Sequence, residues 1–485
     1  MTLLAGAAAA DITPPFPVDL LGYVRRPLAA RDAYDPLQAT ACVFRDDTSG
    51  TTVVIIAADV VGLTTPMADR IRARVGYLVG CDPAAVLLNS SHTHAAPWPG
   101  ATIKLGGEFD AWTETELRYW DSIPDRYASV ALEAAGRLAP ARVSGGIGEV
   151  RGIAVNRRER TDDGRTILGW NRDGVRDDSV VALRVDGEAG PPLVADGIAT
   201  IVSFACHPVV VGPDFPGAGP DYVGPLRDTV SAARPGAVTI FLQGAAGDAL
   251  PLEAFRDDDD ALVAAEVFGE RLGLEAVHAI ADTDPWVVEL ERSDWGSVTP
   301  IRLYRRRLAA VQPAQVLRTA RRVVSLPLLQ LPCVADLERE LDERRVDLEE
   351  RRSRGEGRIT MNPIRYHVAW LEMQLGQEAM GGRATAIDGE IWAARIGDAA
   401  IVAAPGEIFG AIGTAVRRRS PTPVTVFAGY SQGSLGYVAT PDEYPHGGYE
   451  PSVSHRGYGQ PAPFSPDVAG IIEQTAVDLL SELFT

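Results

Sequence analysis

Runs of β-branched residues recur along this chain, and stretches with helical spacing fall between them. The strand-like runs are 52–58 (Thr-Val-Val-Ile-Ile-Ala-Ala), 85–89, 198–205, 238–242 and 400–404. The helix-like stretches include 67–79, 113–137, 222–233 and 260–281. Strands alternating with helices of this length predict an α/β fold with mixed β-sheets and flanking helices. Chemically active residues follow the strand ends: His92 and His94 after 85–89, His207 after 198–205, and Glu407 after 400–404. Ligand sites of α/β folds gather at the carboxyl ends of strands, so one site assembled from distant segments is expected.

Residues 334–354 depart from this alternation. Val334, Leu337, Leu341 and Leu348 recur at near-heptad spacing amid dense charge, Gly355-Glu356-Gly357 stops the pattern, and 364–378 resumes it. This predicts a helical insertion over 302–378 within a single catalytic domain spanning 1–485. Such a hairpin serves as a solvated cap on the core, as a lid, or as the contact through which copies of the chain form a homo-oligomer.

A chain of 485 residues, 46% of them hydrophobic, can bury a large core. Its net charge of -19 repels phosphate backbones and anionic lipid, which excludes nucleic acid as an expected partner. No run reaches the ~18 apolar residues of a membrane span, so stable membrane insertion is not expected. The apolar stretch 3–10 is short, lacks a basic leader and runs into Asp11-Ile12-Thr13-Pro14-Pro15, which reads as a first strand entering a turn rather than a signal peptide. Cys42, Cys81, Cys206 and Cys333 are widely spaced and form no Cys-x-x-Cys pair, as in a protein of a reducing compartment. A cytoplasmic enzyme is the resulting expectation.

Three of the seven histidines lie in two short motifs, Ser-His-Thr-His (91–94) and Cys-His-Pro (206–208). On an extended segment His92 and His94 share a face, which suits one metal ligand beside an acid–base group, or two ligands. His207, at a strand end, is by itself more often a hydrogen-bonded core residue than a ligand, and the His-x-His motif strengthens the ligand reading. Glu407, in Pro-Gly-Glu, follows an apolar strand, and a carboxylate buried there needs a cation or donors; a helix N-terminus would also satisfy it. Arg157, in Asn156-Arg157, is followed by Arg158, Glu159 and Arg160, so a surface ion-pair cluster is the plain local reading. The Gly- and Tyr-rich stretches 429–437 and 445–458 predict irregular loops of the kind that carry function on a rigid scaffold, with Tyr437 and Tyr449 in them. Imidazole nitrogen and carboxylate oxygen are the donors zinc prefers. Trp98, Phe109 and Trp112, just after His-x-His, are candidates for an apolar pocket wall, with ordinary core packing as the alternative reading.

Taken in order, these motifs resemble the neutral/alkaline (non-lysosomal) ceramidase family. The resemblance includes the opening Ala-x-x-Asp-Ile-Thr-Pro-Pro, Gly22-Tyr23, Tyr34-Asp35-Pro36-Leu37 and Asp59. It continues through Ser-His-Thr-His, Asn156-Arg157, His207-Pro208, Gly247-Asp248, Pro405-Gly406-Glu407 and the tyrosine pattern at 437–450. It is to a short, bacterial-type member without the C-terminal immunoglobulin-like domain. It implies Zn2+ ligated by His92, His207, Glu407 and Tyr437, with His94, Arg157 and Tyr449 handling the substrate carbonyl. The family's serine two residues after Gly-Asp is replaced by Leu250 here, which favours metal-activated water over a serine nucleophile. The expected activity is zinc-dependent hydrolysis of a C–N amide bond in a small-molecule or lipid-like substrate other than ceramide. Two alternatives remain at this level: an amidohydrolase-type barrel acting on cyclic amides, and a non-catalytic metal-binding relative.

Overall fold

The computed structural model describes all residues except 1, 27, 102–103, 105–110, 188–196, 296–298, 300 and 313. Its largest sheet has eight strands in the spatial order Val238–Gln243, Gly197–Phe204, Ser179–Gly187, Ala139–Glu149, Leu3–Asp11, Gln38–Asp46, Thr52–Ala58, Val86–Ser90. The pair at each end is parallel and the interior pairs are antiparallel. A second sheet holds Leu317–Pro327, Ala386–Ile396, Ala399–Ala403 and Thr425–Ala428.

Period-two burial explains how the sheets stack. Val53, Ile55 and Ala57 share one core cluster with Trp392, Ala394, Ile401 and Ala403 of the second sheet. Val54, Ile56 and Ala58, on the opposite face, pack with Ile71, Val75, Trp120 and Tyr127 of the helices Thr65–Val79 and Glu114–Gly136. The helices Val223–Ala233 and Ala261–Ala281 cover the other half of the same outer face. Asp467–Phe484 covers the outer face of the smaller sheet through Ile472, Ala476 and Leu480. Both faces of the central strands are therefore apolar, as a strand buried between two layers requires. The result is a helix–sheet–sheet–helix stack.

The α/β expectation and the sequence-predicted strands and helices hold, with ends shifted by a residue or two. The amidohydrolase-type barrel is not the fold. The main sheet is open and mixed, whereas a closed barrel of that kind needs parallel strands throughout.

Of the 302–378 stretch read as a helical insertion, only Val334–Ser353 and Arg358–Ala379 are helices. Ile301–Leu308 and Leu317–Pro327 are strands. In both strands apolar residues are interleaved with arginines (Val-Val-Ser-Leu after Arg321-Arg322 in the second), a pattern that pairing with Ala386–Ile396 satisfies for Leu317–Pro327. The two helices pack on each other through Leu337, Leu341, Trp370 and Leu371. Gly355, at φ +70°, makes the turn between them. No helix of the described residues is long and apolar enough to cross a membrane.

Candidate metal centre

Three strand ends and one short parallel pair deliver the site. The strand Val86–Ser90 ends just before His92, whose backbone adopts φ +67°. The predicted extended His-x-His geometry is thus replaced by a left-handed bend at His92. That bend, and not strand alternation, brings the two rings within 4.8 Å of each other. A left-handed non-glycine residue costs energy and persists where the surroundings enforce it; here Ser91 N–H donates to Ala58 O and His92 N–H to Val60 O. Gly22 is needed beside them, because a Cβ there would lie 2.6 Å from His94 Cγ.

His207 follows the strand Gly197–Phe204 and is fully buried. Glu407 opens the two-residue strand Glu407–Ile408, which pairs in parallel with Tyr437–Val438 so that Glu407 and Tyr437 are direct partners. Gly406, at φ +103°, permits this approach: a Cβ there would sit 2.5 Å from Gly436 O.

Hydrogen bonds fix the tautomers. His92 Nδ1 lies 2.5 Å from Val61 O, and His207 Nδ1 lies 2.8 Å from Ala246 O and 3.1 Å from Ala249 O. A carbonyl only accepts, so both Nδ1 atoms carry the proton and both Nε2 atoms present lone pairs. Those lone pairs converge on Glu407 Oε2, at 3.4 Å from His92 and 3.0 Å from His207. His94 Nε2 lies 3.1 Å from His92 Nε2, and the ligand atoms of His92, His94 and His207 all fall within 4.8 Å of one another.

Burial, with Arg157 adding to it, pushes His207 down to about 4. Burial beside His92 and His207 holds His94 well below the usual imidazole range. His94 and His207 are therefore neutral at neutral pH, the form in which histidine binds metal. A carboxylate oxygen facing imidazole lone pairs is a cluster of acceptors that a cation relieves. The donor set therefore fits a zinc ion, which takes imidazole nitrogen and carboxylate oxygen.

The tyrosines close the site. Tyr430 donates to Glu407 Oε2 at 3.3 Å, and Tyr458 donates to Glu407 Oε1. Tyr437, the strand partner of Glu407, lies under the Arg157 guanidinium, whose central carbon is 5.1 Å from its ring centre. Tyr449, 40% exposed, meets the Tyr437 ring edge-on at 5.6 Å. The pocket is a small cavity of ≈ 130 Å³ that opens to the surface. Its walls include Val24, Val61, Trp98, Tyr366, Val453 and Tyr458.

No family model and no curated protein matches the chain. Among solved structures, the crystal structure of neutral ceramidase from Pseudomonas aeruginosa matches with a TM-score of 0.67 at 17% sequence identity, over 100% of this chain and 74% of that one. A ceramidase complexed with C2 matches with a TM-score of 0.65 at 18% identity, over 100% of this chain and 75% of that one. The chain has the fold of neutral ceramidase.

On this ceramidase fold, His92, His94, Glu407, Tyr437 and Tyr449 line one pocket, and His207 and Arg157 are buried behind them against Glu407 and Tyr437. Arg157 is not on the surface, as its local sequence suggested. It is 4% exposed, donates through Nε to Glu450 at 2.7 Å, and places Nη1 3.2 Å from His207 Nε2. A register irregularity between Asn156 and Arg158 lets two consecutive arginines turn inward, and Arg158 also donates to Glu450, through Nη1.

Leu250 lies in the strand Ala249–Pro251 opposite Val155 and packs with Val155 and Val209. Asp248 is structural: it accepts from Asn156 Nδ2 at 3.0 Å and Gly410 N–H at 2.8 Å. Trp98 lines the pocket, Trp112 meets Trp120 edge-on with ring centres 4.3 Å apart, and Phe109 lies outside the described residues. Sequence reasoning did not single out Tyr430, Tyr458, Glu450 or Tyr366. For the first two the signal was the Gly/Tyr-rich loop composition.

Proposed function

We propose that this chain is a zinc-dependent hydrolase that cleaves a C–N amide bond in an uncharged small-molecule or lipid-like substrate other than ceramide. The observation that carries the proposal is the convergence of two Nδ1-protonated imidazoles on one buried carboxylate. His92, His207, Glu407 and Tyr437 would hold the metal. A zinc ion there supplies Lewis acidity and a water nucleophile at neutral pH.

The protein's own groups do the rest. The buried Nδ1–carbonyl bonds keep His92 and His207 from rotating. Arg157, whose Nη2 has no hydrogen-bond partner among the described residues, offers a donor to a substrate oxygen. His94 Nε2 is placed to pass a proton to the leaving nitrogen, and the Tyr449 hydroxyl to donate to the carbonyl oxygen. With Leu250 packed against Val155, no serine stands at the Gly-Asp turn to act as nucleophile. We take 1–485 as one catalytic unit, with the helical hairpin as its insertion, acting in the cytoplasm.

A second reading follows from the 3.1 Å between His92 Nε2 and His94 Nε2: His94 is then a third imidazole ligand. The test is zinc content together with hydrolysis of a panel of simple N-acyl amides. Zinc-dependent turnover supports the proposal. Bound zinc without turnover of any amide leaves a non-catalytic metal-binding protein.

A further inference from the structure

The helical hairpin also reaches the pocket. Tyr366, on the helix Arg358–Ala379, lines it beside Trp98 and Tyr458 and packs on the cluster of Leu21, Val61 and Trp98. Its hydroxyl oxygen is buried and has no hydrogen-bond partner among the described residues. The hydroxyls of Tyr430 and Tyr458, by contrast, donate to Glu407. A buried hydroxyl left unpaired is unfavourable, and a partner that satisfies it gains affinity.

The helix that carries Tyr366 is pinned at the loop that carries Tyr458. Trp370 Nε1 donates to Gln460 O at 2.8 Å, and Gln374 Nε2 donates to Gly459 O at 3.1 Å. The Arg456 guanidinium stands 4.9 Å over the Trp370 ring. Tyr366 and Tyr458 are thus held in one frame, so the free hydroxyl is oriented before anything binds. No lysine or arginine is among the described residues that line the pocket with Tyr366; Arg157 stands behind Tyr437 and is paired with Glu450.

We propose that Tyr366 is a specificity-determining residue, whose hydroxyl bonds an uncharged hydroxyl group that the substrate carries outside its scissile amide. This rests on the amide-hydrolase reading for the identity of the substrate. Sites built to satisfy a buried polar group reject analogues that leave it unpaired, whereas apolar contacts discriminate weakly.

The test uses three probes: N-hexanoylpropylamine, N-hexanoylethanolamine and N-(2-hydroxyhexanoyl)propylamine. Binding is measured by titration calorimetry and hydrolysis by amine release, for the wild type and Tyr366→Phe. The wild type should favour one hydroxylated probe over the parent by about 10-fold, and Tyr366→Phe should bring that ratio to about one. A ratio of one in the wild type, absence of binding to all three, or a ratio unchanged by Tyr366→Phe overturns the proposal. A preference that Tyr366→Phe erases in binding, with no hydrolysis of any probe, keeps the role of Tyr366 and sinks the hydrolase reading. Hydrolysis with no hydroxyl preference does the reverse.

Discussion

Arg157 and Glu450 are separated by 293 positions in the chain and form a 2.7 Å ion pair in which both side chains are almost completely buried. The same carboxylate takes Arg158, so one glutamate ties the strand Ala154–Arg160 to the loop bearing Tyr449. Removing one member of a buried charge network leaves the others uncompensated. Glu450→Ala should therefore lower unfolding stability by about 3–5 kcal/mol in chemical denaturation. Glu450→Gln, which keeps an acceptor for one arginine, should lose less. Equal stability of Glu450→Ala and the wild type would mean that the pair does not organise the loop.

Gly406 holds the ligand pair together without touching the metal position. With φ +103° and Gly436 O 2.5 Å from where a Cβ would be, Gly406→Ala must push Glu407 away from Tyr437. The variant should lose zinc although all of its proposed ligands remain, measured as metal content after dialysis. Full zinc retention would show that the Glu407–Tyr437 register is not needed.

Leu250 tests whether a nucleophilic side chain is missing. Its side chain is 4% exposed and packs on Val155 and Val209. Leu250→Ala should cost about 2–5 kcal/mol of stability by leaving a cavity. Leu250→Ser should raise no amide hydrolysis above the wild-type rate. A large gain in rate for Leu250→Ser would instead mean that the site works through a serine.

Asp221 provides a pH prediction away from the metal centre. Burial pushes its carboxyl up to about 6, against the opposing N–H donors of Val211 and Tyr222. The folded state therefore holds this proton more tightly than the unfolded chain, whose aspartates titrate near 3.9. The associated stability is fully present below that value and is lost as pH rises through about 6. Relative to Asp221→Asn, the wild type should lose on the order of 2–3 kcal/mol between pH 4 and 7. A stability difference independent of pH across that range contradicts the assignment.

Local chemistry made much of the site legible in the sequence. His92, His207 and Glu407 each follow an apolar run, and each run proved to be a strand ending at the pocket. What stayed hidden was long-range. The two sheets stack because Ile55 and Ile401 share a core, a pairing that period-two alternation alone does not specify. Arg157 looked superficial because its neighbours are charged, and its partner Glu450 sits in a different segment. The bend at His92 was invisible because a left-handed histidine is imposed by backbone bonds to Ala58 and Val60, not by its own preference. Tyr366 reaches the pocket only because Trp370 and Gln374 anchor its helix, which no spacing within the hairpin reveals.

The most direct test of the metal centre is elemental analysis of the purified wild type beside His92→Ala, Glu407→Ala and His94→Ala. The account predicts about one zinc per chain, lost in His92→Ala and Glu407→Ala and kept in His94→Ala, with the rate reduced in the last. A wild type without zinc, or full zinc in His92→Ala, contradicts it.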